Sequence, residues 1–124
     1  MRNIPNFPTE NVIRKDLNIS QEIAIGATVE LFSFPVPAKA KMEVTNFANY
    51  IDCFDAWGLI TWKFKRNGVP LYPYEEIMDQ IAFGAPLREL AGIEICGGDV
   101  FSIDVTNDHD AVVKVGIALN YEVR

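Results

Sequence analysis

The chain carries one histidine, His109, and two cysteines, Cys53 and Cys96, so any acid–base or nucleophilic chemistry must come from a short inventory. A serine or cysteine nucleophile needs a base beside it. Ser20, Ser33 and Ser102 stand in no recognisable nucleophile context, and the two thiols have only that one histidine, distant in sequence, to draw on. His109 falls within Asn107-Asp108-His109-Asp110, a polar bend between apolar runs, where a solvated turn residue is expected. A jelly-roll metalloenzyme of the cupin kind needs several imidazoles on one ion, which a single histidine cannot supply. Cys53 and Cys96 show no metal-ligand spacing and sit among apolar neighbours, which reads as two buried, reduced thiols.

Oxygen donors are more abundant. Asp104, Asn107, Asp108 and Asp110 set four oxygen-bearing side chains close together, a composition that suits calcium. The glycine and terminal glutamate of an EF-hand are missing. Asn and Asp also favour turns, because they tolerate left-handed backbone and bond nearby amides. A turn is therefore the expectation and a cation site the alternative. Asp52 and Asp55 offer a carboxylate pair of the glycosidase type, with nothing else around them in support. Gly92, Gly97 and Gly98 do not spell a phosphate loop. Trp57, Trp62, Tyr72 and Tyr74 contain the makings of an aromatic platform for a sugar or peptide. Trp62 shares parity with Ile60 and Phe64 and is expected in the core. Trp57, Tyr72 and Tyr74 lie near expected edges and are candidates to meet a partner.

The elements that would position these groups read as strands. Residues 1–20 have a weak pattern broken by Pro5 and Pro8, and are expected to form an arm. Ordering such an arm costs conformational entropy that its scattered Ile4, Phe7, Val12, Ile13, Leu17 and Ile19 side chains do not fully repay. A settled arm needs backbone hydrogen bonds to a strand edge, its own domain's or a neighbouring subunit's. Ile4, Phe7, Val12, Ile13 and Leu17 of the arm, with Trp57, Tyr72 and Tyr74, are the candidate partner interface. EIAIGATVELFSF begins a strand with Ile23, Ile25, Val29 and Leu31 on one side. AKAKMEVT alternates cleanly, Ala38, Ala40, Met42 and Val44 against Lys39, Lys41, Glu43 and Thr45, so one of its faces is wet.

FANYIDCFDAWG is less regular, a loop with at most a short turn of helix. LITWKFK is a strand running into Asn67-Gly68, the strongest short hairpin signal, because both central residues need positive φ. VPLYPY carries Pro70 and Pro73 and is placed at an edge. EEIMDQIAF has helical spacing at Ile77 and Ile81, enough for a turn or two or a loop. GIEI, a Gly97-Gly98-Asp99 turn and VFSIDVT follow, with Phe101, Ile103 and Val105 inward. In the last run Val113, Val115, Ile117, Leu119, Tyr121 and Val123 share one parity, which no helix could keep on one face. The two final runs are expected to pair antiparallel. The whole reads as an all-β antiparallel sandwich, jelly-roll-like, over residues 21–124, with an N-terminal arm over residues 1–20. An immunoglobulin-like sandwich is the second choice, since Cys53, Trp62 and Cys96 only loosely mimic its hallmark.

Composition sets the outer bounds. The chain has 124 residues, 49% hydrophobic and 23% charged, which fits one globular domain. A net charge of -6 disfavours direct nucleic-acid binding, which wants a basic face. No apolar run approaches the ~18 residues of a membrane span. MRNIPNFPTEN lacks the unbroken apolar stretch of a secretory signal, so synthesis in the cytoplasm is expected.

Three stretches carry a family likeness: Phe34-Pro35-Val36-Pro37-Ala38 entering a wet-faced strand, then TWKFKRNGVPL, then GGDVFSIDVTNDHDAVVKVGIALNYEV. Their order resembles small jelly-roll virion proteins of tailed bacteriophages, such as head decoration (cement) proteins and related vertex, neck or fibre-base domains. The likeness spans Phe34 to Arg124 and lies in turns and parity. Tyr121 stands where such chains often have tryptophan. It implies a non-enzymatic role, binding major capsid or other virion proteins, usually as dimers or trimers, and stabilising the shell. The host cytoplasm would be the site of synthesis and the virion the destination. No cofactor and no functional residue set is implied. The alternative is a carbohydrate- or ligand-binding jelly roll, calcium-assisted through Asp104, Asn107, Asp108 and Asp110; a small enzyme is the poorest reading.

Overall fold

The computed structural model describes residues 13–72, 74–79 and 88–124. Eight strands follow one another: β1 (Ile13–Ile23), β2 (Thr28–Pro35), β3 (Lys41–Ile51), β4 (Ile60–Arg66), β5 (Val69–Pro70), β6 (Arg88–Cys96), β7 (Val100–Asn107) and β8 (Val113–Val123). A single 3-10 turn, Phe54–Ala56, is the only helical piece among the described residues. The strands form two four-stranded sheets, ordered β1-β8-β3-β6 and β2-β7-β4-β5, with every pairing antiparallel. The chain is thus an all-β sandwich. Its pairings nest: β1 with β8, β2 with β7, β3 with β6, β4 with β5.

The period-two pattern explains the core. Val113, Val115, Ile117, Leu119, Tyr121 and Val123 of β8 are all buried, as are Phe101, Ile103 and Val105 of β7 and Ile60, Trp62 and Phe64 of β4. Rings lock the two layers together. Phe47 of β3 meets Phe64 edge-on at 4.9 Å between centroids, and Tyr121 packs against Phe32 and Phe34 of β2 at 5.8 and 5.4 Å. Edge-to-face pairs of this kind add to plain area burial. Burial pushes the Tyr121 phenol above its usual value.

Several expectations are corrected. Residues 13–20 are not a separate arm. They form most of β1, hydrogen-bonded along its length to β8 of the same domain, from Ile13 opposite Val123 to Ile23 opposite Val113. The backbone bonds that the arm needed come from its own sandwich. EIAIGATVELFSF is not one strand, because Gly26 (φ +72) turns the chain between β1 and β2 and leaves Ile25 exposed. Ala38 and Ala40 precede β3 rather than lie in it. FANYIDCFDAWG is strand as far as Ile51. A register shift between Val44 and Asn46 moves the inward parity onto Phe47 and Asn49, which blurs the alternation. Ile77, taken for a helical position, instead bridges to Trp62. Ile81 lies outside the described residues.

The final two runs are not partners. β7 pairs with β2 and β4 while β8 pairs with β1 and β3, so residues 108–112 carry the chain from one sheet to the other. The Asn67-Gly68 hairpin is as expected, with φ of 52° and 79°. VPLYPY does supply the edge strand β5, and Leu71, Tyr74 and Ile77 continue its hydrogen bonds along Phe64 and Trp62 of β4. Gly116 has a specific task. Tyr50 of β3 lies across it to donate to Asn18 Oδ1 of β1 at 2.8 Å, and a Cβ at Gly116 would collide with the Tyr50 ring. That contact ties β1 to the middle of its sheet.

Candidate functional site

Strand directions gather the connections at two ends. Ile23, Thr28, Ile51, Ile60, Asn107 and Val113 all finish or begin strands at one end, as their pairings show. The connections 24–27, 52–59 and 108–112 therefore meet there. Asn107, fully buried, organises them. Its Nδ2 donates to Ile23 O (3.0 Å) and Ala111 O (2.9 Å), and its Oδ1 accepts from His109 N (2.8 Å). Its own backbone accepts from Gly26 N and donates to Ala27 O, and Asp108 N donates to Leu59 O. A short amide side chain that satisfies three backbone groups of a bend is what the Asn/Asp composition of this stretch is suited to.

The same bend carries the oxygen cluster, and the structure disperses it. Asp104 is on the outer face of β7, ion-paired with Lys65 at 2.7 Å. Asn107 points inward to backbone. Asp108 and Asp110 point to solvent. Among the described residues no group of three or more His, Cys, Asp or Glu could hold a metal ion. Asp52 accepts from Lys114 N at 3.0 Å and so pins the start of β8 to the end of β3.

Around this bend large apolar side chains are exposed beside Asp52, Asp55, Asp108 and Asp110. Ile25, Phe54, Leu59 and Val112 are exposed by 60%, 86%, 40% and 55%, one or more from each of the three connections. Met78, also exposed, is adjacent, since its carbonyl accepts from Gly58 N. Apolar side chains gathered from separate loops and left in water are the usual mark of a docking surface.

The candidate interface residues divide. Ile4, Phe7 and Val12 lie outside the described residues. Ile13 and Leu17 belong to β1, with Leu17 half-buried against the core. Trp57 is not free: it stacks on Trp62 at 5.5 Å between centroids. Tyr74 packs on Phe64 at 5.5 Å. Tyr72 alone of the three is exposed, on the flank beside β5. Nothing local in the sequence marks Phe54 and Ile25 as surface residues, because hydrophobicity in sequence reads as core.

Cys53 and His109 are the other surprise. The histidine is not a solvated turn tip. Its side chain is only 16% exposed, and Nε2 lies 3.9 Å from Cys53 Sγ. Cys53 is half-buried and Cys96 exposed; both are free. The two residues, remote in sequence, meet because each follows the last residue of a strand by two positions at the same end of the sandwich. That was readable only once the strand ends were assigned.

No protein-family model matches the chain, and no curated protein matches it in sequence.

Proposed function

We propose that the chain is a non-enzymatic jelly-roll protein of a virion, a shell-decorating subunit that binds major capsid or other virion proteins and copies of itself. The nested pairing of β1 with β8 through β4 with β5 supports the jelly-roll reading, since it is one long antiparallel ribbon wrapped over two sheets. One observation carries the docking role: the exposed Ile25, Phe54, Leu59 and Val112 at a single end. Rigid strands hold these loops in place, and function lies on the loops.

The contribution is mass action. A subunit that binds the assembled shell and not its separated parts stabilises it by about 2.7 kcal/mol per site at a hundred-fold excess over Kd, repeated over many copies. A sugar-binding reading has less to draw on, because Trp57 and Tyr74 are engaged within the fold. Added to shells assembled without it, the protein is expected to occupy regular sites visible by electron microscopy and to raise the shell melting temperature. A protein that leaves shells undecorated and their melting unchanged would contradict the proposal.

A further inference from the structure

The loop end holds a thiol, an imidazole and a carboxylate in sequence. Cys53 Sγ stands 3.9 Å from His109 Nε2, within reach of a sulfur hydrogen bond, and His109 Nδ1 stands 3.5 Å from Asp110 Oδ1. The ring is held from both sides of its residue. Asn107 Oδ1 fixes the His109 backbone N–H at 2.8 Å, and the side chain is largely enclosed. Cys53 is fixed in turn, its carbonyl accepting from Ala56 N at 2.9 Å as the 3-10 turn begins. With the ring proton on Nδ1, the nitrogen nearer that carboxylate, Nε2 is the acceptor facing sulfur. This is the arrangement by which a thiol is made nucleophilic: a base in contact with it and a third group setting the base's tautomer.

We propose that Cys53 is a reactive thiol, activated by His109, and that it is a modification site for small disulfides. In the step, the Cys53 Sγ proton passes to His109 Nε2 and the thiolate attacks one sulfur of the disulfide. A new S–S bond forms at Cys53 as the reagent's own S–S bond breaks. The departing thiolate takes the proton from Nε2 and leaves as a free thiol. The disulfide is the oxidant, and no further reactant is needed. Charge selects among reagents. Asp52 and Asp55 flank the cysteine in the chain, and Asp108 and Asp110 flank the histidine. A neutral or cationic disulfide is favoured over an anionic one.

Cys96 is an internal control, since it is the more exposed thiol and is free. The native protein, diluted below the concentration at which it self-associates, is treated with neutral 2-hydroxyethyl disulfide, and each cysteine is followed by peptide mass mapping. Cys53 is expected to react on the order of tenfold faster than Cys96 despite its lower exposure. His109→Gln should bring Cys53 down to the Cys96 rate or below it. Asp110→Asn, a change at a 95% exposed side chain, should slow it a few-fold without disturbing the fold. Should the glutamine variant unfold, the comparison of the two thiols in the native chain and the Asp110→Asn rate still decide. A native Cys53 that reacts no faster than Cys96, or a rate indifferent to both substitutions, overturns the proposal.

Discussion

The two ends of the sandwich close the same strands in different ways. At the end formed by residues 36–40, 67–68 and 97–99, tight turns bond to one another. Asn67 N donates to Val100 O (2.8 Å) while Asn67 Oδ1 accepts from Val100 N (2.8 Å), and Val36 exchanges hydrogen bonds with Asp99 O and Gly98 N (2.9 Å each). Of the large exposed apolar side chains among the described residues, only Val69 is close to it. The opposite end gathers the connections 24–27, 52–59 and 108–112 on one buried amide, Asn107, and turns Ile25, Phe54, Leu59 and Val112 outward. One end is closed by hydrogen bonds between its own turns. The other holds exposed apolar side chains on loops organised by buried polar bonds, and on the proposed reading a partner covers them.

Substitutions can break this contrast. Asn107→Ala leaves Ile23 O, Ala111 O and His109 N without their partner, and should cost about 3 kcal/mol in a denaturant titration. Asn67→Ala, at the other end, forfeits bonds to Val100 N and Asp99 Oδ1 and the tolerance of positive φ. Those groups are exposed to water, so about 1–2 kcal/mol is expected. If the order of these two losses reversed, Asn107 would not be the organiser of its end. Asp104→Asn weakens the ion pair to Lys65 on the outer face, and about 1 kcal/mol or less is expected. In the native protein, calcium should leave the melting temperature where it was; a rise that Asp104→Asn abolishes would revive the cation reading. Phe54→Ser removes a side chain 86% in water and should change stability by no more than about 0.5 kcal/mol.

Much of this fold is legible in the sequence because parity survives wherever a strand keeps one face dry. β8 keeps every odd-numbered side chain from Val113 to Val123 buried, and the Asn67-Gly68 turn announces its hairpin. What parity does not encode is which sheet a strand joins. β7 and β8 are neighbours in sequence with an ordinary bend between them, and nothing in Asn107–Val112 tells a hairpin from a crossing to the opposite sheet. The strand over Phe47–Ile51 is obscured for another reason: one irregular step between Val44 and Asn46 shifts the register and scrambles the alternation. Residues 13–20 show no local strand signal, since β1 has mostly polar exposed residues and is held by β8 from far along the chain. The site suffers most from this limit. The Cys53–His109 contact and the placing of Ile25, Phe54, Leu59 and Val112 at one end are products of topology, and no local pattern signals them.

The docking role of the loop end is the claim on which the rest turns, and sedimentation velocity tests it most directly. The native protein should sediment as a dimer or trimer. The double variant Ile25→Asp, Phe54→Asp should sediment as a monomer with its melting temperature preserved, while Ala38→Asp, an exposed site at the closed end, should leave the assembly intact. A native protein that stays monomeric, or an assembly that survives the double variant and is lost in Ala38→Asp, would contradict the account.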